Sequence, residues 1–269
     1  MQCDDRPQYV EGSVKAIILA AGRGSRLREQ SASRPKCLTV LAGKPLLQWQ
    51  LEALRDAGVD DIAVVCGYLA QTLQAAPMPV RYTSLLNPDW EQTNMLASLL
   101  CAAEWAQHSA CIVSYADIVY PAHHVRALMG NTLPIALCYD TQWESLWRLR
   151  FADPLNDAES FRQEKGLLRE IGDRTPDMAD IQGQYMGLLQ LTSQGWKAVR
   201  DFCREHPDQT ATMDMTGLLR HLLLLKQSIA AVPVAGKWCE VDSPEDHACY
   251  TRALQRPDWS HDWRTPERR

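Results

Sequence analysis

Short apolar runs alternate with amphipathic stretches along most of the chain. Val14 to Leu19 is apolar apart from Lys15 and gives way to Ala20-Ala21-Gly22-Arg23-Gly24-Ser25. A run this short, ended by small residues, predicts a buried strand entering a glycine loop. Leu46, Leu47, Leu51, Leu54 and Ala57 then recur at helical spacing, Gly58 stands where a helix stops, and Ile62 to Val65 predicts a second buried strand. Strand-like runs follow at 80–82, 111–114 and 135–139, with a helical stretch over 93–106. This alternation predicts an α/β protein with a doubly wound, mostly parallel sheet and right-handed crossovers.

From about 140 to 181 the periodicity fades into polar and aromatic residues, which predicts a lid or substrate insertion over the sheet. Order returns with a strand over 185–191, Ser193 as a helix N-cap, a helix over 213–226 and a strand near 229–232. Residues 13–254 therefore read as one domain. The polar stretch 1–12 and the Arg-, Asp-, Trp- and Pro-rich stretch 255–269 read as tails, the latter loosely held.

Composition narrows the function. The chain of 269 residues is 46% hydrophobic and 23% charged, the balance of a globular protein. Its formal net charge of −5 argues against a nucleic-acid partner, because neutralising phosphates calls for a basic stripe. No apolar run reaches transmembrane length and no secretory leader is evident, so a cytoplasmic protein without a membrane partner is expected. Nine cysteines without a C-x-x-C pair predict reduced thiols rather than disulfides or a zinc site.

The most informative segment is Leu19-Ala20-Ala21-Gly22-Arg23-Gly24-Ser25-Arg26-Leu27, followed by Arg34-Pro35-Lys36-Cys37-Leu38. Small residues after a strand let backbone N–H groups approach a polyphosphate, and Arg26 and Lys36 can add fixed positive charge. A dinucleotide fingerprint would need a third glycine near Leu27, and a Walker A loop would need Ser or Thr where Pro45 follows Gly43-Lys44. The small residues and the two cations read instead as a triphosphate cradle.

These motifs, with Gly43-Lys44-Pro45-Leu46-Leu47, Leu51-Glu52, Ala57-Gly58 and Val64-Val65-Cys66-Gly67-Tyr68, resemble the N-terminal half of nucleotidyltransferases built on a glycosyltransferase-A-like Rossmann sheet. Within that superfamily the chain is most similar to the phosphocholine and 2-aminoethylphosphonate cytidylyltransferases. The match covers 14 to about 120 and resumes from 185 to 250. It implies Mg2+-dependent transfer of CMP from CTP to a small zwitterionic phosphonate or phosphate, 2-aminoethylphosphonate or phosphocholine, with release of pyrophosphate. The resemblance assigns Arg26 and Lys36 to catalysis. It assigns Leu19, Ala20, Ala21, Gly22, Gly24 and Ser25 to the phosphates, with Gly67, Tyr68 and Asn87 as weaker candidates for base and ribose.

Transfer of this kind has to neutralise a triphosphate, so a magnesium ion on hard carboxylates is expected. Asp117 lies just past a buried strand, at the carboxyl edge where α/β sheets bind ligands. Asp242 alternates with Glu240 along a strand, which puts both carboxylates on one face. The family carries metal-binding acids at the places of Asp117 and Asp242. Many relatives have a further aspartate where this chain has Tyr115. Asp140, Trp143, Trp147, Arg150 and Tyr185 are candidates for the accepting molecule, since aromatic faces and acids suit an ammonium group and arginine suits a phosphate. The alternative for the tryptophans is that they plug the insertion onto the sheet. His123, His124, His206, His221 and His247 lack ligand spacing and read as structural or exposed. A sugar-1-phosphate nucleotidyltransferase and an inactive nucleotide-binding regulatory paralogue remain alternatives, and a homodimer is left open.

Overall fold

The computed structural model describes residues 13–24 and 33–264. Its first half runs β1 (Lys15–Ala20), the small hairpin β2 (Val40–Leu41) and β3 (Lys44–Pro45), α1 (Leu46–Asp56), β4 (Asp61–Cys66), α2 (Ala70–Ala75), β5 (Thr83–Leu86), α3 (Met95–Leu100) and α4 (Ala103–Ala106). There follow β6 (Cys111–Tyr115), β7 (Ile118–Val119), α5 (Ala122–Met129), β8 (Ile135–Asp140), α6 (Trp143–Arg150), β9 (Phe161–Glu164) and β10 (Leu167–Ile171). The chain closes with β11 (Gln184–Leu191), α7 (Ser193–Glu205), α8 (Pro207–Thr210), α9 (Met215–Leu224), β12 (Ile229–Val234), β13 (Cys239–Glu240) and α10 (Pro244–Ala253).

Nine strands form one sheet in the order β5-β4-β1-β6-β11-β8-β12-β10-β9. The β5, β4, β1 and β6 block is parallel, as is β8 with β12, whereas β11 runs antiparallel between β6 and β8. Both faces are covered, which explains why β1 reads as a continuous apolar run instead of an alternating one. Ala16, Ile18 and Ala20 pack into one core with α1, α5, α6 and α10, and Ile17 and Leu19 pack into the other with α3, α7 and α9. No helix among the described residues is long and apolar enough to cross a membrane.

Several expectations need correction. The strand expected at 80–82 lies at Thr83–Leu86, an edge strand whose polar Thr83 and Ser84 carry no apolar signal. The helix expected over 93–106 breaks into α3 and α4. Within 140–181, expected as a lid or substrate insertion over the sheet, α6 packs into the core, and β9 and β10 form a hairpin that extends the sheet beyond β12. Lys165 and Gly166 turn that hairpin with φ of 53° and 77°, the two-residue turn matched to strand twist. The expected loose tail is also docked as far as it is described. Trp259 stacks on Tyr250 at 5.8 Å, Trp263 meets Trp49 edge-on at 5.8 Å, and His261 is fully buried.

Candidate active site

Parallel strands β1 and β6 end side by side, so the glycine loop after Ala20 and the turn after Tyr115 share the carboxyl edge of the sheet. Asp117 sits in that turn. Strand β7 then pairs antiparallel with β13, Glu240 opposite Ile118, and the Val241 N–H donates to the Asp117 carbonyl at 2.9 Å. This two-residue ladder brings together acids that are far apart in the chain. Asp117, Glu240 and Asp242 each offer a carboxylate oxygen within 4.8 Å of the others.

Lys36 enters the same cluster from a single 3-10 turn, Lys36–Leu38, that follows Pro35. Its Nζ lies 2.6 Å from Asp117 Oδ2 and 2.6 Å from Asp242 Oδ1. Burial pulls the ammonium toward the neutral form, but Asp117, Asp242 and Glu240 outweigh it and hold the pKa above its ordinary value. Burial pushes the Glu240 carboxyl up; Arg150 opposes that shift, and Asp117 and Asp242 add to it.

The cluster suits a hard divalent cation. Among the described residues, Asp117 Oδ1 is buried without a hydrogen-bond partner, an uncommon state for a carboxylate oxygen and one that a metal ligand would resolve. An all-oxygen donor set is the chemistry that Mg2+ selects.

Beside the carboxylates, Leu19, Ala20, Gly22, Gly24, Tyr115 and Lys36 line a cleft. Gly24 has φ of 63°, and a Cβ there would stand 2.8 Å from Lys36 Cδ, so the glycine lets the lysine stem pass. Gly67 is equally confined, since a Cβ would lie 2.5 Å from Trp90 and 2.8 Å from the Ala21 carbonyl. Tyr68 donates its N–H to that carbonyl at 2.9 Å, its ring meets Trp90 edge-on, and the Arg23 guanidinium lies 5.6 Å from it. The sheet thus brings Leu19 to Gly24, Lys36, Gly67, Tyr68, Asp117, Glu240 and Asp242 to one edge. Ser25 and Arg26 lie outside the described residues.

Asn87 is buried; its Nδ2 donates to Thr93 at 3.0 Å and Ser98 at 3.1 Å, and its Oδ1 accepts the Asp89 N–H at 3.0 Å, contacts that pin the loop after β5.

Most of the aromatic and acidic cluster assigned to the accepting molecule is corrected. Trp143 and Trp147 are buried in the core under α6, which is the plug alternative. Asp140 is fully buried; it accepts from the N–H groups of Gln142 and Gly236 and from Trp238 Nε1, and it pairs with His261 at 2.8 Å. Arg150 is spent on Asp246 and Glu240. Their residue types matched a zwitterion, but types do not report which side of a helix faces solvent. Tyr185 is half-buried, edge-on to Tyr115 at 5.7 Å.

Two residues beyond the expected set shape the site. Asp246 accepts the Asp242 N–H at 3.0 Å. Gly187, with φ of 77°, lies at a register shift in β11, where a Cβ would stand 2.6 Å from the Tyr115 ring. The Ser243-to-Asp246 capping spacing was a visible signal for the first; the second left none in the sequence.

The MobA-like NTP transferase domain model matches residues 16–175, more than half of the chain. Over 247 residues the chain is 33% identical to a CTP:phosphoglutamine cytidylyltransferase of Campylobacter jejuni, covering 87% of this chain and 97% of that protein. It is 34% identical over 99 residues to a choline-phosphate cytidylyltransferase of Streptococcus pneumoniae, 37% of this chain and 43% of that one. The inositol-1-phosphate CTP transferase structure from T. maritima superposes with a TM-score of 0.71 at 19% identity, covering 90% of this chain and 96% of that one, which shows the shared fold. The chain therefore belongs to the MobA-like NTP transferase family.

Proposed function

We propose that this protein is a Mg2+-dependent cytidylyltransferase that transfers CMP from CTP to a small amine-bearing phosphate, phosphonate or phosphorylated amino-acid derivative and releases pyrophosphate. The observation that carries it is the convergence of Lys36, Asp117, Asp242 and Glu240 beside a glycine loop at the carboxyl edge of β1 and β6. The names of the Campylobacter and Streptococcus relatives supply the nucleotide and the acceptor class. They widen the expected acceptors from phosphocholine and 2-aminoethylphosphonate to include phosphoglutamine.

Backbone N–H groups from Leu19 to Gly24 hold the phosphates. The charge of Lys36 offsets charge developing on them in the transition state. An acceptor phosphate oxygen is already anionic at neutral pH, so the chain needs to align it and does not need a strong general base. Asp117, Asp242 and Glu240 would hold Mg2+, which when bound neutralises triphosphate charge and polarises the phosphoryl group under attack.

Pyrophosphate release with each of the four NTPs against phosphocholine, phosphoethanolamine, 2-aminoethylphosphonate and phosphoglutamine tests the reading. Turnover with CTP and at least one of these is expected. Turnover only with UTP or dTTP and a sugar 1-phosphate would replace it with the sugar-nucleotide alternative.

A further inference from the structure

Arg150 ends α6 with its side chain almost fully buried, packed near the rings of Trp147 and Phe151 at 5.3 and 4.9 Å. Its Nε and Nη2 engage the two oxygens of Asp246 at 3.0 and 3.3 Å, while Nη1 reaches Glu240 Oε2 at 3.1 Å. Asp246 Oδ2 also accepts the backbone N–H groups of Asp242 and Ser243, each at 3.0 Å. One guanidinium therefore grips the Glu240 carboxylate directly and, through Asp246, the backbone that carries Asp242. Glu240 and Asp242 are two members of the three-carboxylate cluster.

Resting on the reading of that cluster as a divalent-cation site, we infer that Arg150 and Asp246 are positioning residues that set the spacing of the metal-binding carboxylates. Neither needs to touch substrate. The planar fork matters as well as the charge: three of its N–H directions are used at once, and a lysine ammonium on a flexible stem cannot match them. Partners that orient metal ligands typically change metal affinity by about 10–100-fold when lost.

Arg150→Lys keeps the charge and loses the fork; Asp246→Asn keeps an acceptor and loses the charge. Mn2+ is the probe, its free concentration read by electron paramagnetic resonance on purified full-length protein below the melting transition. Both variants should bind Mn2+ about 10–100-fold more weakly than wild type. Their turnover should recover in part as metal is raised, with KM for the acceptor unchanged. Trp263→Ala, which weakens packing at the far end of the chain, should lower the melting temperature and leave Mn2+ affinity alone. Mn2+ affinity within twofold of wild type in the folded variants would overturn the inference, as would failure of both variants to fold or no Mn2+ binding by wild type. An increased acceptor KM at unchanged Mn2+ affinity would instead place Arg150 on the substrate. The Mn2+ comparison needs no turnover, so absence of CTP-dependent pyrophosphate release would reject the proposed reaction without deciding this inference.

Discussion

At the scale of single residues, the contacts of Lys36 change what its removal should do. An ammonium 2.6 Å from Asp117 and 2.6 Å from Asp242 is one unit with them, and effects within a unit do not add. Asp117→Asn and Asp242→Asn keep shape and hydrogen bonding but remove a charge, and each should lose orders of magnitude in pyrophosphate release while staying folded. Lys36→Ala should lose roughly 10²-fold or more, the scale of deleting one electrostatic stabiliser. The double variant Lys36→Ala/Asp117→Asn should then lose much less than the product of the two single losses. A double-mutant cycle in kcat/KM checks this; full additivity would mean that the lysine acts apart from the carboxylates.

Among the elements, the turns around β1 and β3 separate backbone strain from catalytic crowding. Gly24 and Gly43 both have positive φ, 63° and 83°, but only Gly24 has a neighbour where a Cβ would go. Alanine at either position should cost about 1–2 kcal/mol for the left-handed backbone. Gly24→Ala should in addition displace the Lys36 stem and lower turnover at least tenfold, whereas Gly43→Ala should melt lower and retain activity. Thermal melting paired with initial rates distinguishes the two, and equal activity losses would refute the crowding argument. The sheet also explains why β5 was misplaced: an edge strand with exposed Thr83 and Ser84 has no apolar run to betray it, unlike β1, β4, β6 and β8, whose buried faces made them legible.

For the whole molecule, Asp140 ties the end of β8 to the loop before β13 and to the C-terminal segment. Burial pushes its carboxyl up, but the hydrogen bond and interaction with His261 and the N–H groups of Gly236 and Gln142 outweigh burial and hold it below the ordinary 3.8. A lowered folded pKa gives stability that is complete above the unfolded value and lost as pH falls through the folded one. Melting temperature should therefore drop as pH is taken below about 4 in wild type. Asp140→Asn should be less stable at pH 7 by about 1.5–3 kcal/mol, the range for a hydrogen bond to a charged group, and should show a shallower acid decline. Parallel acid declines in the two proteins would remove Asp140 from the acid response.

Local pattern alone determined the strand-and-helix alternation, the glycine loop, the Pro-Lys motif and the paired acids Glu240 and Asp242, because each is a short-range arrangement with its own period or spacing. Tertiary structure decided the rest. Whether a tryptophan or arginine on α6 faces a ligand or the core depends on what packs over the helix, and Trp143, Trp147, Arg150 and Asp140 turned inward. The tail at 255–264, polar by composition, docks because Trp259, His261 and Trp263 meet Tyr250, Asp140 and Trp49, partners distant in sequence. The meeting of Asp117 with Asp242 rests on the β7–β13 ladder, two residues long and too short to announce itself in any window of sequence.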